Sequence, residues 1–190
     1  DVNNNTVWHH PACHLKDGPF YLNRNAVKDV TGGWHDAGDH GKFVVPGAFS
    51  AAFLLYLYEL QPEKFVDSQL NIPEAGNGTP DLLDEARWEL EWMLKMQGTN
   101  GAVYHKVQNK TWSGNYLPHL DPDTRYIMET SSSATASFAA VTALGARLYK
   151  EWDKQFAYQL FKASLSAWNY LLVNPEVFPP GGFRNPAGVE

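Results

Sequence analysis

The stretch GGWHDAGDHGK, residues 32–42, is the densest group of chemically useful side chains in this sequence. Its four glycines permit tight turns and positive φ angles. Asp36 and Asp39 lie three positions apart, so both carboxylates can converge on one water molecule or ion. Their mutual repulsion discourages ionisation of both unless nearby donors or Lys42 compensate. By itself, an Asp-x-x-Asp pattern is more often a solvated acidic turn than a site, because acidic residues are common in turns.

Beyond this loop, hydrophobic spacing predicts two helices in the first half of the chain. Residues 48–60 are apolar on almost every side, which indicates an inner, buried helix. The second predicted helix has Thr79 as its cap and Pro80 at its first position, has Lys95 in its last turn, and ends before a turn at residues 100–101.

Two further helices are predicted in the second half. One follows the cap region of residues 131–133 and runs to about Lys150, and the other covers about residues 154–173. The only strand candidates are short and lie near Val44 and Val103. The long link of residues 98–130 is typical of a functional loop. The sequence therefore predicts an all-α fold of antiparallel helical hairpins with long loops on one face.

The composition narrows the range of partners. The 190 residues suffice for one domain or two small ones, and the net charge of −6 argues against nucleic acid or an anionic membrane. The uncharged segment 43–58 is shorter than the roughly 20 residues of a membrane helix. The first residues lack the basic and apolar regions of a secretory signal. The 7 Trp, 9 Tyr and 10 Phe fit either a sugar-stacking cleft or a large aromatic core.

Residues 32–46 resemble the signature of glycoside hydrolase family 9, the inverting endoglucanases and their relatives. The similarity continues through residues 71–78, 80–85 and 104–107 and through the Ala-rich helix from Ser133, so it covers most of the chain. The resemblance implies an (α/α)6 barrel, of which the four predicted helices form about the first third. Residues 1–190 then form the N-terminal portion of a catalytic domain. In some bacterial relatives this domain is part of a longer chain that contains other modules.

The same resemblance assigns roles to the two carboxylates. Asp39 corresponds to the general base and Asp36 to the residue that helps it hold the attacking water. Inverting hydrolysis of β-1,4-glucosidic bonds needs such a base opposite the leaving group. The general acid of the family is a Glu from a later region, and none of Glu74, Glu129 and Glu190 sits in a matching context. The chain alone is therefore expected to be inactive.

Three residues of the long loop are expected at the substrate. The resemblance suggests that His105 lines the cleft and hydrogen-bonds a sugar hydroxyl. Trp112 and Tyr116 extend this surface, where aromatic faces can stack on glucose, although both can equally pack the loop itself. The expected partner is a β-glucan polysaccharide or oligosaccharide, with no nucleic acid and no membrane.

A structural zinc site is a further expectation. Cys13, His14 and His35 resemble three of the four ligands that some family members use, and the fourth, a Cys, would lie upstream of Asp1. Water or His10 are the alternatives. For calcium, which family members often bind, no ligand set can be mapped, and the acidic loop residues are expected in solvated turns. These residues are Asp121, Asp123 and Glu129.

Two alternatives to an endoglucanase stay open. The family also contains cellobiohydrolases and exo-acting glucosaminidases, and the loops that decide between a cleft and a pocket are mostly absent from this sequence. A non-catalytic carbohydrate-binding fragment is the alternative of another class. An extracellular location follows only from the family, because a polymeric substrate outside the cell requires an exported enzyme.

Overall fold

The computed structural model describes residues 11–112 and 114–185. Within them, four α-helices dominate, as predicted. They are α1 (Val44–Leu60), α2 (Asp81–Lys95), α3 (Ser132–Leu148) and α4 (Lys154–Val173). Three short strands form one antiparallel sheet in chain order. They are β1 (Lys42–Phe43), β2 (Lys106–Gln108) and β3 (Tyr126–Ile127). No helix in the described ranges is long and apolar enough to cross a membrane.

The helices of the second half begin at hydrogen-bonded caps. The Ser131 hydroxyl accepts the backbone N–H of Ala134 at 3.1 Å, which is the predicted serine cap of α3. Asp153 caps α4 by accepting the N–H groups of Gln155 at 3.0 Å and Phe156 at 2.9 Å. Each cap satisfies donors that the first helical turn leaves unpaired.

The helices of the first half begin at other positions than predicted. α1 starts at Val44, four residues early, because Pro46 falls in the first turn, where proline costs no helical hydrogen bond. α2 has Pro80 at its N-cap and no side-chain cap bond, so the prediction of Thr79 as the cap is wrong by one residue.

The core lies between α3 and its two neighbours, α1 and α4, with α2 packed on α1. Its largest fully buried side chains come from all four helices and the sheet. Gly145 of α3 allows close packing, since a Cβ there would meet Leu160 at 3.0 Å and Leu90 at 3.2 Å. The buried Tyr149 hydroxyl donates to the carbonyl of Leu83, so this phenol does not remain an unpaired polar group.

Two apolar helix faces are not covered by the described residues. On α1, Phe49 is 71% exposed and Phe53 is 60% exposed, so the prediction of a fully buried helix is wrong for this part of the chain. The cause is that α2 and α3 cover only one side of α1. On α4, Phe161 and Trp168 form a second exposed apolar stripe.

The small sheet brings three distant loops to one end of the helices. Lys42 pairs with Val107, which in turn pairs with Ile127. β1 runs directly into α1, so the glycine-rich loop before it is fixed at the start of that helix. The strand prediction near Val44 is close to β1, whereas Val103 lies in an isolated bridge with Gln97.

Candidate active site

The loop of residues 32–42 forms a closed turn that carries both aspartates. The backbone N–H of Asp36 donates to the carbonyl of Gly41 at 2.8 Å, and the N–H of His40 donates to the carbonyl of Ala37 at 3.0 Å. The N–H of Gly41 donates to Asp39 Oδ1 at 3.0 Å. These bonds hold Asp36 and Asp39 on one short, hydrogen-bonded turn.

The two carboxylates influence each other, as their spacing predicts. Partial burial and the neighbouring charge of Asp39 both raise the pKa of Asp36. Asp39 also interacts electrostatically with Lys106 of β2: burial lowers the pKa of Lys106, while the carboxylates of Asp39 and Glu129 oppose that shift. The sequence did not single out Lys106, because its approach to Asp39 depends on the pairing of β1 with β2.

The first half of the loop is held by α2. The backbone N–H of Trp34 donates to Glu89 Oε2 and its indole N–H donates to Glu85 Oε1, both at 2.7 Å. Burial raises the pKa of Glu89 to about 7. Gly33 has a φ of +74°, and a Cβ there would meet Trp92 Cγ at 2.5 Å, so only glycine allows this approach.

A buried charge cluster lies beneath the loop. The Asp17 carboxylate pairs with Lys42 Nζ at 2.9 Å and with the guanidinium of Arg125. Lys42 Nζ also donates to the carbonyls of Val30 at 2.5 Å and Gly32 at 2.9 Å. Burial lowers the pKa of Lys42 to about 8, against the attraction of Asp17. Thus Lys42, which the sequence offered as a counter-ion to the paired aspartates, is bonded to Asp17 and to the start of the loop.

The three residues expected to bind zinc lie together. Ligand atoms of Cys13, His14 and His35 all lie within 4.8 Å of one another. Among the described residues, Nδ1 of His14 is buried without a hydrogen-bond partner. Burial, with the charge of Arg125 added, lowers the pKa of His35 to about 3, so this imidazole stays neutral. Burial raises the pKa of the Cys13 thiol. The proposed alternative ligand His10 lies outside the described residues.

Asp121 lies next to one of these residues, His14, and also next to His40. Its Oδ2 lies 3.4 Å from His14 Nε2 and 3.1 Å from His40 Nδ1, and its side chain is fully buried. Burial acts to raise the pKa of Asp121, but the hydrogen bonds from Asp123 N–H and the two imidazoles outweigh it and lower the pKa. The expectation of a solvated turn is therefore wrong for Asp121, because two histidines far away in sequence surround it.

The residues expected at the sugar differ in their surroundings. His105 is half-buried: its Nδ1 lies 2.9 Å from the Ser131 hydroxyl, and its ring stacks on Phe183 at 4.1 Å. Burial and the adjacent Lys106 lower the pKa of His105 to about 4. Trp112 and Tyr116 are 46% and 50% exposed.

Two carboxylates on one hydrogen-bonded turn, directly ahead of β1 and α1, form the candidate site. The chain belongs to glycoside hydrolase family 9: the family described as "Glycosyl hydrolase family 9" matches residues 1–184. Members of this family have an (α/α)6 barrel, so the predicted fold class is confirmed and α1–α4 are helices of such a barrel.

Named relatives and solved structures agree with this assignment. The chain is 43% identical over 167 residues to the "Cellulose 1,4-beta-cellobiosidase" of Acetivibrio thermocellus, covering 80% of this chain and 19% of the relative. A metagenome-derived family 9 endoglucanase is 40% identical with a TM-score of 0.87, covering 93% of this chain and 34% of that one. The Zn-binding triple mutant of the family 9 endoglucanase J30 is 37% identical with a TM-score of 0.82, covering 95% and 36%. The chain thus spans about a fifth to about a third of the proteins it resembles.

Proposed function

We propose that residues 1–190 are the N-terminal portion of a catalytic domain that hydrolyses β-1,4-glucosidic bonds of cellulose or a related β-glucan with inversion. The observation that carries this proposal is the hydrogen-bonded turn of residues 36–41, which carries both Asp36 and Asp39 and in which the charge of Asp39 helps to raise the pKa of Asp36. In this proposal Asp39 is the general base and Asp36 its partner.

The chemistry of the turn fits these roles. The Gly41 N–H donates to Asp39 Oδ1 at 3.0 Å and so fixes the direction of this carboxylate, which a general base for an attacking water requires. Lys106 adds a nearby positive charge. Asp36 can accept the second hydrogen of the same water and so fix its direction. Protonation of the leaving group then falls to a carboxylic acid outside this chain.

The uncovered helix faces support an incomplete barrel. Phe49 and Phe53 of α1 and Phe161 and Trp168 of α4 are each more than half exposed, and exposed large apolar side chains on one helix face mark a surface that another element covers. In the proposal, later helices of the same domain cover these faces. The chain alone then supplies the base and not the acid.

The substrate surface is proposed to include His105, Trp112 and Tyr116. Since the pKa of His105 is about 4, its imidazole is neutral over the mildly acidic to neutral range and can exchange a hydrogen bond with a sugar hydroxyl. The likeness to a relative named as a cellobiosidase favours one alternative, an exo-acting enzyme on the same bond. Because the substrate is a polymer, we place the protein outside the cell.

We also propose a structural zinc ion held by Cys13, His14 and His35. One sulfur and two nitrogen donors suit zinc, and the buried, unpartnered Nδ1 of His14 is a donor of the required kind. Tetrahedral zinc needs four ligands, so these residues supply three of them and a fourth is required. Through His35 the metal would stabilise the loop that carries Asp36.

The catalytic assignment is tested by hydrolysis of cellohexaose with the full-length protein, with product anomers followed by NMR. We expect α-anomeric products from the full-length protein, loss of product in Asp39→Ala, and a large loss of rate in Asp36→Ala. Asp123→Asn is the matched control, because it changes an acidic residue of another loop. Normal rates in Asp39→Ala would contradict the assignment of the base.

The same assay on the 190-residue chain separates catalysis from binding. No product, together with measurable binding of cellohexaose, is the result expected of a chain that lacks the acid. Product from this chain would contradict our inference that the acid lies outside it.

The zinc proposal is tested by titrating the chain with Co²⁺, whose thiolate complexes absorb in the near ultraviolet. We expect a cobalt–thiolate band that Zn²⁺ abolishes and that Cys13→Ser lacks. Equal metal affinity in the wild type and Cys13→Ser would contradict the site.

A further inference from the structure

The residue that follows the proposed base has an unusual backbone conformation. His40 has a φ of +56°, in the left-handed region that glycine occupies freely and other residues rarely enter. A non-glycine residue stays there only where its surroundings impose it. His40 is also buried, with 4% of its surface exposed.

The side chains of Asp121 and Arg125, which belong to one segment distant in sequence, both contact His40. The Asp121 carboxylate lies 3.1 Å from His40 Nδ1, and the Arg125 guanidinium donates to the His40 carbonyl. Arg125 is itself fixed by Asp17, which accepts from its Nε at 3.0 Å and from its Nη2. Thus the imidazole and the carbonyl of one residue are held from the same segment, residues 121–125.

The conformation of His40 controls the hydrogen bond of the base. Asp39 Oδ1 accepts the N–H of Gly41, and this bond spans His40. Because the Gly41 N–H belongs to the peptide that follows His40, its direction depends on the backbone angles of His40. A return of His40 to the right-handed region would turn this donor away from Asp39.

We infer that Asp121 and Arg125 are positioning residues that orient the general base by holding His40 in the left-handed conformation. Neither residue touches the reacting atoms in this scheme: both act on Asp39 through His40. The inference rests on the proposed function for its effect on rate, whereas its structural part concerns the loop alone.

The structural part is tested on the ¹⁵N-labelled 190-residue chain by measuring the φ-dependent coupling constant of residue 40. We expect the left-handed value in the wild type and in the control Asp123→Asn, and a shift of the coupling in Arg125→Lys and Asp121→Asn. Arg125→Lys keeps the charge opposite Asp17, so it tests the guanidinium geometry without leaving a buried carboxylate alone. An unchanged coupling in both variants would overturn the inference.

The catalytic part is tested on the full-length protein with a pair of variants that differ by one methyl group. His40→Ala and His40→Gly both remove the imidazole, but only alanine resists the left-handed backbone. We expect kcat of His40→Ala to be roughly tenfold lower than that of His40→Gly, with KM changed much less. The reason is that the left-handed backbone conformation disfavours alanine relative to glycine by a free energy that corresponds to about this factor in rate. Combining Arg125→Lys with His40→Gly should restore most of the kcat that Arg125→Lys loses.

The outcomes separate the two proposals. Equal kcat for the alanine and glycine variants, or no rescue by His40→Gly, would refute the positioning role. Normal activity in Asp39→Ala would refute the proposed function, while the coupling constant of residue 40 would still decide whether Asp121 and Arg125 hold this backbone.

Discussion

Replacing Glu89 by glutamine should make the stability of this protein less dependent on pH. Glu89 is 1% exposed on α2, and burial raises its pKa from 4.5 to about 7. The folded chain therefore keeps this proton up to about pH 7, whereas the unfolded chain releases it near pH 4.5. Between these values the folded state binds more protons, so the free energy of unfolding falls as the pH rises.

The size of this effect follows from the shift. Each pKa unit corresponds to about 1.4 kcal/mol, so a shift of this size removes about 3 kcal/mol of stability above pH 7. Glutamine has the same shape and does not titrate, and its carbonyl can still accept the Trp34 N–H that Glu89 accepts at 2.7 Å. Glu89→Gln should thus match the wild type below pH 4.5 and exceed it by up to about 3 kcal/mol above pH 7.

The assay is urea unfolding of the chain, followed by tryptophan fluorescence across this pH range. Glu85→Gln is the matched control, because it changes the same group one turn earlier at a half-buried position that also bonds Trp34. A stability difference between Glu89→Gln and the wild type that does not change with pH would refute the reasoning. A difference that shrinks as the pH rises would refute it as well.

Three further predictions concern Gly33 of the loop, the half-buried His105 and the exposed face of α1. Gly33→Ala should cost about 3 kcal/mol in urea unfolding, because a left-handed alanine must also push against Trp92, whereas Gly38→Ala, in open space, should cost less than about 0.5 kcal/mol. The pKa of His105 is about 4 in the folded chain and 6.5 in the unfolded chain, so its contribution to the free energy of unfolding is complete above pH 6.5 and is lost as the pH falls towards 4. In His105→Gln the free energy of unfolding, measured with urea, should therefore decrease less over this pH range than in the wild type. An equal decrease in both would contradict the prediction. Phe49→Ser with Phe53→Ser should raise the monomer fraction of the 190-residue chain in analytical ultracentrifugation, and an unchanged fraction would show that α1 does not drive self-association.

Local sequence patterns predicted the bounds of a helix correctly where contacts within that helix determine its ends. The predicted bounds of α4 agree with Lys154–Val173, because Asp153 caps the helix within its own first turn. The predicted burial of α1 is wrong because periodicity reports which residues are apolar, not which neighbours are present to cover them. Phe49 illustrates this difference, since it is as apolar as any core residue and yet 71% exposed.

The site was predictable only in its outline. Cys13, His14 and His35 do lie within 4.8 Å, and Asp36 and Asp39 do share a turn, although their roles stay predictions. The supporting residues were missed because nothing in their local sequence marks them.

Examples are Glu89, which reaches across 55 positions to Trp34, and Arg125, which reaches across 108 positions to Asp17. Such partners become visible only when the fold brings them together. A buried carboxylate or guanidinium in an otherwise apolar helix or loop is the general signal that a distant partner exists.

The bond between Asp17 and Arg125 also has a consequence for how the protein forms. Because 108 residues separate the two partners, the loop ahead of β1 cannot acquire this anchor until the intervening chain brings Arg125 back to Asp17. Contacts between residues so far apart in sequence are slow to form, since a large loop must close before they are rewarded. α3 and α4 are joined by a short turn and make their most extensive contact with each other, so their pairing closes only a small loop and can form early. We therefore expect the turn that carries Asp36 and Asp39 to be among the last parts of this region to fold, after the helices that support it.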